Sequence, residues 1–135
     1  MDDCIFCKII AGEIPTDKIY EDRELLAFLD IKPVNPGHTL IISKKHFADY
    51  LETSEEILSK MSHLAKKIGQ KIIDSRLGQG VNITNNIKPA AGQLVNHVHM
   101  HIIPRLEGDG YKLWHGKKYA DGEAEKIKGK LKLDL

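Results

Sequence analysis

The segment His97-Val98-His99-Met100-His101-Ile102-Ile103 alternates polar and apolar side chains with a period of two. An extended strand uses that pattern best, because its successive residues face opposite sides of a sheet. The spacing predicts a strand over 97–104 carrying three imidazoles on one face at intervals of about 6.6–6.8 Å, with Val98, Met100 and Ile102 turned into apolar packing. Histidine has no strand preference that would generate such a row by itself, so the face reads as a working site. Neutral imidazoles suit zinc and similar ions, but alternate strand positions sit awkwardly around one ion at metal–nitrogen distances of about 2.0–2.1 Å. Attack on phosphorus, donation to phosphate oxygens and proton transfer near neutral pH suit the row better.

The remaining elements place this strand in an α+β chain. Ile5, Phe6, Ile9 and Ile10 fall at helical spacing ahead of Gly12 and predict a short helix. Segments 18–21, 25–30 and 38–43 are short and rich in apolar or β-branched residues, and turn signals at Asp22-Arg23 and from Pro33 to Gly37 separate them. Thr53-Ser54-Glu55-Glu56 fits a capping box, and Ile57, Met61, Leu64, Ile68 and Ile72 carry a helical stripe toward Gly78. Val81–Thr84 is the remaining strand, joined to 97–104 by a loop from Asn85 to Val95. Three strands in succession through short turns favour an antiparallel meander over repeated βαβ units, hence a five-stranded antiparallel sheet with a long and a short helix. Past Arg105 the pattern fades. A solvated terminus is expected there, with an edge strand over 126–133 as the alternative.

A chain of 135 residues is about one domain's worth of sequence, expected as one domain over 1–135 with a core at 4–105 and a C-terminal extension at 106–135. Twenty Lys+Arg against nineteen Asp+Glu leave a formal charge of +1, which disfavours a nucleic-acid binder needing a concentrated basic surface. No apolar run approaches the roughly 20 residues that span a bilayer, and Met1-Asp2-Asp3 is no basic leader. A cytoplasmic protein without a membrane partner is expected. The two cysteines, Cys4-x-x-Cys7, read as metal ligands or a redox pair. Ala90-Ala91-Gly92-Gln93 forms a small turn whose backbone amides can approach a phosphate.

Gly92-Gln93-x-x-x-His97-x-His99-x-His101-x-x-Pro104-Arg105, together with Pro36-Gly37-His38-Thr39-Leu40-Ile41-Ile42-Ser43-Lys44-Lys45-His46, resembles the histidine triad family of nucleotide-binding hydrolases and transferases, from Cys4 to about Arg105. The resemblance implies a HIT-like fold that dimerises into a continuous sheet. It makes His99 the nucleophile on the α-phosphorus, forming a nucleotidyl-imidazole that water hydrolyses, with His38 and His101 assisting. It puts Asn86, Gly92 and Gln93 near the phosphates. Leu94 stands where relatives often carry Ser, Thr or Glu, so only its backbone N–H can donate there. Asp30 falls on the ribose hydroxyls, with turn stabilisation as the plainer role, and Ile5, Phe6, Ile9 and Leu29 flank the base, with core packing as the plainer role. Some relatives with an N-terminal Cys-x-x-Cys bind zinc, which implies a structural site from Cys4, Cys7, His46 and His97 and no metal requirement in catalysis. The expected activity is hydrolysis of adenosine or guanosine 5′-phosphoramidates to the nucleoside monophosphate. Rivals are dinucleoside polyphosphate hydrolysis, purine-nucleotide binding or sensing without turnover, and a metal-dependent hydrolase with zinc on the triad. His63 lies off the helical stripe and is expected to be exposed and uninvolved. Tyr111, Trp114 and His115 are expected either to reach a partner's site or to form a satellite apolar contact.

Overall fold

A computed structural model describes residues 3–135; Met1 and Asp2 lie outside the described residues. The chain runs α1 (Ile5–Ile10), β1 (Lys18–Glu21), β2 (Leu25–Leu29), β3 (Thr39–Ser43), α2 (Glu55–Asp74), β4 (Gly80–Thr84), β5 (His99–Arg105) and α3 (Glu123–Leu131), with single 3-10 turns at Tyr50–Glu52 and Pro89–Ala91. The five strands form one antiparallel sheet in the order β1-β2-β3-β5-β4. β1, β2 and β3 make the expected meander, and β5 enters between β3 and β4.

Both faces of the central strands are covered, so Leu25 to Leu29 reads as a continuous apolar run instead of alternating. Leu25, Ala27, Ile41, Val98, Met100 and Ile102 pack under the α2 stripe of Ile57, Met61, Leu64, Ala65, Ile68 and Ile72. Leu26, Phe28, Leu40 and Ile42 face the other way and meet Phe6 and Ile9 of α1. The ladder sets Leu40 opposite His101 and Ile42 opposite His99, so those two imidazoles emerge on the α1 face. His63 is exposed on α2 as expected.

Four expectations need correction. His97 lies ahead of β5, because the Val98 N–H leaves the ladder and donates to the Phe47 carbonyl at 2.8 Å. The capping box is half-formed: Ser54 caps α2 by accepting from the Ile57 N–H, while the Thr53 hydroxyl donates to the Asp49 carbonyl and makes no exchange with Glu56. α2 stops at Asp74, short of Gly78. The terminus is solvated as expected, with no buried residue in 123–131, but the alternative of an edge strand gives way to a helix, α3. Good helix formers, Glu123 and Glu125 in the first turn, and Lys128 and Lys130 in the last suit the helix dipole.

The extension leaves the sheet through a clamp. The Arg105 guanidinium donates to both carboxylate oxygens of Asp109, to Asn82 Oδ1 and to the Tyr111 carbonyl, and it lies over the Tyr111 ring. Asp109 also accepts from Asn35 Nδ2 and from the Leu106 and Tyr111 N–H groups. The apolar contact expected among Tyr111, Trp114 and His115 does not form, and Trp114 is 98% exposed. Arg105 and these donors hold the Asp109 carboxyl well below the usual carboxylate range. Its contribution to stability is therefore complete at neutral pH and is lost as the pH falls below the unfolded value of about 3.9 toward the folded one. Asp109→Asn should lower the melting temperature at pH 7, with the difference from wild type shrinking as scans move below pH 4.

Candidate active site and metal-ligand cluster

The row of three histidines divides between two places. His99 and His101, two residues apart on β5, share a face as the period requires, whereas His97, outside the strand, turns toward the amino terminus. Its backbone carbonyl stays with the site: His99 Nδ1–H donates to it at 2.7 Å. That bond fixes the His99 tautomer, so Nε2 keeps its lone pair and meets no protein donor among the described residues. Phe6 packs edge-on against the His99 ring at a centroid distance of 5.1 Å. Burial lowers the His99 pKa, with the His97 carbonyl opposing the shift, so the ring is neutral at physiological pH and able to act as a nucleophile.

His38, buried just ahead of β3, meets His101 across the ladder, with Nε2 2.9 Å from His101 Nδ1. Burial depresses both pKa values, and for His101, with His99 and His38 as neighbours, the result is about 4. Asp30 Oδ1 accepts from the Lys32 N–H, which realises the turn-stabilising role, and Oδ2 lies 3.7 Å from His38 Nε2 at the edge of the cleft.

A cleft of about 570 Å³ opens onto His99, His101 and Asp30, whereas His38 lies behind His101 and does not line it. Ile5, Phe6, Ile9, Leu29, Asp30, Asn86, Gly92, Leu94, His99 and His101 all line it, together with Ile14, Pro15 and Ile31, which the sequence reading did not select. Phe6 and Ile9 serve the core as well, whereas Ile5 and Leu94 are exposed at the rim. Gly92 adopts φ +94°, a conformation few side chains tolerate, beside the Asn86 amide.

The expected cradle from the backbone of Gly92 and Gln93 does not form. The Gly92 N–H donates to the Pro89 carbonyl and the Gln93 N–H to the Lys88 carbonyl, both inside the turn. Gln93 is buried outside the cleft and braces the loop. Its Oε1 accepts from the Lys88 N–H, and its Nε2 donates to the Ala48 and Val95 carbonyls. The Leu94 N–H, in contrast, has no acceptor among the described residues.

On the other side of the His97 peptide, four ligand atoms converge: Cys4 Sγ, Cys7 Sγ, His46 Nδ1 and His97 Nδ1, all within 4.8 Å of one another. His97 Nε2–H donates to the Ser43 carbonyl at 2.6 Å, which leaves Nδ1 bare toward the cluster. A carbonyl behind a ligating imidazole is the usual outer support of a metal ligand. The two nitrogens stand 3.1 Å apart, and His97 Nδ1 is 3.4 and 3.6 Å from the two sulfurs. A tetrahedral ion with Zn–N of about 2.05 Å and Zn–S of about 2.3 Å would set these at about 3.3 and 3.6 Å. Burial, then hydrogen bonding with Cys4, raises the Cys7 pKa, so a thiolate at Cys7 needs a cation beside it. The donor set, the spacing and the backing carbonyl fit zinc.

Known proteins resemble this chain in sequence and in fold. The family described as HIT domain matches residues 11–108. "Protein hit" of Bacillus subtilis is 48% identical over 122 residues, covering 89% of this chain and 83% of the relative. "Adenylylsulfatase HINT3" of Arabidopsis thaliana is 42% identical over 107 residues, 79% of this chain and 54% of that protein. A crystal structure of a HIT family member from Bacillus subtilis superposes with TM-score 0.86 at 43% identity, covering 96% and 94% of the two chains. A Zn-bound histidine triad family protein from Mycobacterium smegmatis superposes with TM-score 0.78 at 36% identity, covering 87% and 85%.

The loop geometry has a measurable consequence. Gln93→Ala removes three hydrogen bonds and strands buried partners, so denaturant unfolding should show a loss of about 2–3 kcal/mol. The amides of residues 88–95 should exchange faster in the variant.

Proposed function

This chain belongs to the HIT domain family, and from that premise we propose that it hydrolyses purine nucleoside 5′-phosphoramidates through a covalent intermediate on His99. The observation that carries the reading is the His99 tautomer, with Nδ1–H tied to a carbonyl and Nε2 bare in the cleft. Nε2 attacks the α-phosphorus, the P–N bond breaks and the amine leaves. The adduct is then an imidazolium whose Nδ1–H faces the His97 carbonyl, a partner that favours positive charge on the ring and so keeps it a good leaving group. Water attacks phosphorus in the second step, the P–Nε2 bond breaks and the nucleoside monophosphate departs. His101 assists at the phosphate, with Asn86 and the Leu94 N–H as further donors, while His38, expected beside the phosphate, stands behind His101 and assists through it. Asp30 Oδ2 accepts from the ribose, and Ile5, Phe6, Ile9 and Leu29 flank the base.

Among the described residues no lysine or arginine lines the cleft. A dinucleoside polyphosphate would bring several negative charges to neutral imidazoles and amides, whereas a phosphoramidate brings about one, which favours the phosphoramidate. Cys4, Cys7, His46 and His97 are assigned as zinc ligands; zinc there would supply a closed structural centre, leaving the chemistry to the imidazoles. A homodimer joined into a continuous sheet is part of the same reading, supported by the open edge of β4, where Ile83 is half exposed beside Val81 and Ile73. A cytoplasmic location is part of the same reading, supported by two cysteines that face a metal-ligand cluster instead of pairing in a disulfide. Among the described residues no helix is long and apolar enough to cross a membrane.

Turnover of a panel of adenosine and guanosine phosphoramidates and dinucleoside polyphosphates should be highest for the phosphoramidates. His99→Ala should lower it by at least about a thousandfold, or about 4 kcal/mol of transition-state stabilisation, while His63→Ala leaves it unchanged. Equal turnover by wild type and His99→Ala would refute the assignment. Metal analysis of protein purified without added zinc should give about one equivalent per chain, lost in Cys4→Ala.

A further inference from the structure

Two neutral imidazoles in contact leave open which nitrogen carries each proton, but here a backbone group decides. The Val34 N–H donates to His38 Nδ1 at 3.0 Å. His38 Nδ1 is therefore an acceptor, and the proton of the neutral ring must sit on Nε2. That Nε2–H lies 2.9 Å from His101 Nδ1, which makes His101 Nδ1 an acceptor too and leaves the His101 proton on its Nε2. His101 lines the cleft, and its Nε2–H has no protein acceptor among the described residues. One peptide N–H thus polarises a two-ring chain in a single direction, from Val34 through His38 to His101 and into the site.

We propose that His38 and His101 form a locked hydrogen-bond donor chain, in which His101 Nε2–H binds the phosphoryl oxygens of substrate and transition state without serving as the acid that protonates the leaving group, and in which Val34 and His38 are positioning residues. The assignment rests on the hydrolase reading above and specifies the part these rings play in it. The proton balance leads to it. Giving up Nε2–H from neutral His101 would leave an imidazolate. Refilling from His38 would only move the same deficit one ring back, since the Val34 N–H occupies His38 Nδ1. Loading the pair with an extra proton fares no better, because an N–H at His101 Nδ1 would meet the His38 Nε2–H, and turning His38 over would aim its Nδ1–H at the Val34 N–H. Asp30 Oδ2, the nearby carboxylate, is 3.7 Å from His38 Nε2, beyond hydrogen-bond reach, and among the described residues no hydrogen bond joins His99 to His101, whose rings cross T-shaped at 5.2 Å between centroids. Burial also holds both rings in the neutral form. The departing amine then takes its proton from solvent at the mouth of the cleft.

Nitrogen-15 NMR of the full chain labelled at histidine, without substrate, tests the chain directly. Between about pH 6 and 8 both His38 and His101 should show an unprotonated Nδ1 and a protonated Nε2. An imidazolium on either ring at pH 7, or an Nδ1–H on His38, would overturn the proposal. Two variants add a kinetic readout. His38→Gln places an amide donor near the old Nε2, so His101 should keep its tautomer and turnover should fall by less than about tenfold. His38→Asp replaces the donor by an acceptor, so the His101 proton should move to Nδ1 and turnover should fall about ten- to a hundredfold, the value of one hydrogen bond to a charged oxygen. Turnover preserved or raised in His38→Asp, where a carboxylate would favour a protonated His101 with a proton to give, would also overturn it. The resonances are read in the resting protein, so a failure of the hydrolase reading leaves them intact and the two failures are distinguishable.

Discussion

The peptide unit of His97 is the point on which the molecule turns. Its imidazole offers Nδ1 to Cys4, Cys7 and His46 and gives Nε2–H to the Ser43 carbonyl, while its own carbonyl holds His99 Nδ1–H. One residue therefore ties the start of α1, the end of β3 and the first residue of β5 together. A shift in any of these reaches the His99 ring. The departure of His97 from the strand is what allows both roles, since a third ladder position would have kept its side chain on the face of His99 and away from the cysteines.

The second constraint is burial. His97, His99 and His38 are nearly inaccessible, and taking an imidazole out of water disfavours its cation. Every ring in the site is pushed toward neutrality, which costs nothing to a nucleophile that needs a lone pair and suits donors that need fixed protons. Each buried ring is matched by a backbone group: the His97 carbonyl for His99, the Ser43 carbonyl for His97 and the Val34 N–H for His38. These partners choose the tautomers, and the tautomers choose the roles. The sheet supports this arrangement because both its faces are packed, with α2 behind and α1 in front, so the β3–β5 register that sets His38 and His101 side by side has little freedom to slip.

Periodicity made much of this readable in advance. The α2 stripe, the three-strand meander and the alternation from Val98 to Ile102 all follow from which residues are apolar, while the grouping of Cys4, Cys7, His46 and His97 follows only from the resemblance to relatives with an N-terminal Cys-x-x-Cys. Other features depend on backbone atoms that every residue possesses. The amides of Gly92 and Gln93 look available in the sequence, yet the turn consumes them and frees the one at Leu94. Gln93 looks like a ligand and is a brace. Nothing in the letters distinguishes the Val34 N–H or the Ser43 carbonyl. The stretch from Lys126 to Leu133 alternates like a strand, yet its part up to Leu131 lies in α3, where local helix preference decides.

The central claim is that a nucleotide is carried transiently on His99 Nε2. Acid-quenched or rapidly denatured reaction mixtures of the wild-type chain with an adenosine phosphoramidate, digested and sequenced by mass spectrometry, should show an adenylyl group on the peptide from the β5 segment, fragmenting at His99. The adduct should be absent from His99→Ala. Turnover without any adduct, or with the group on a different residue, would contradict the account.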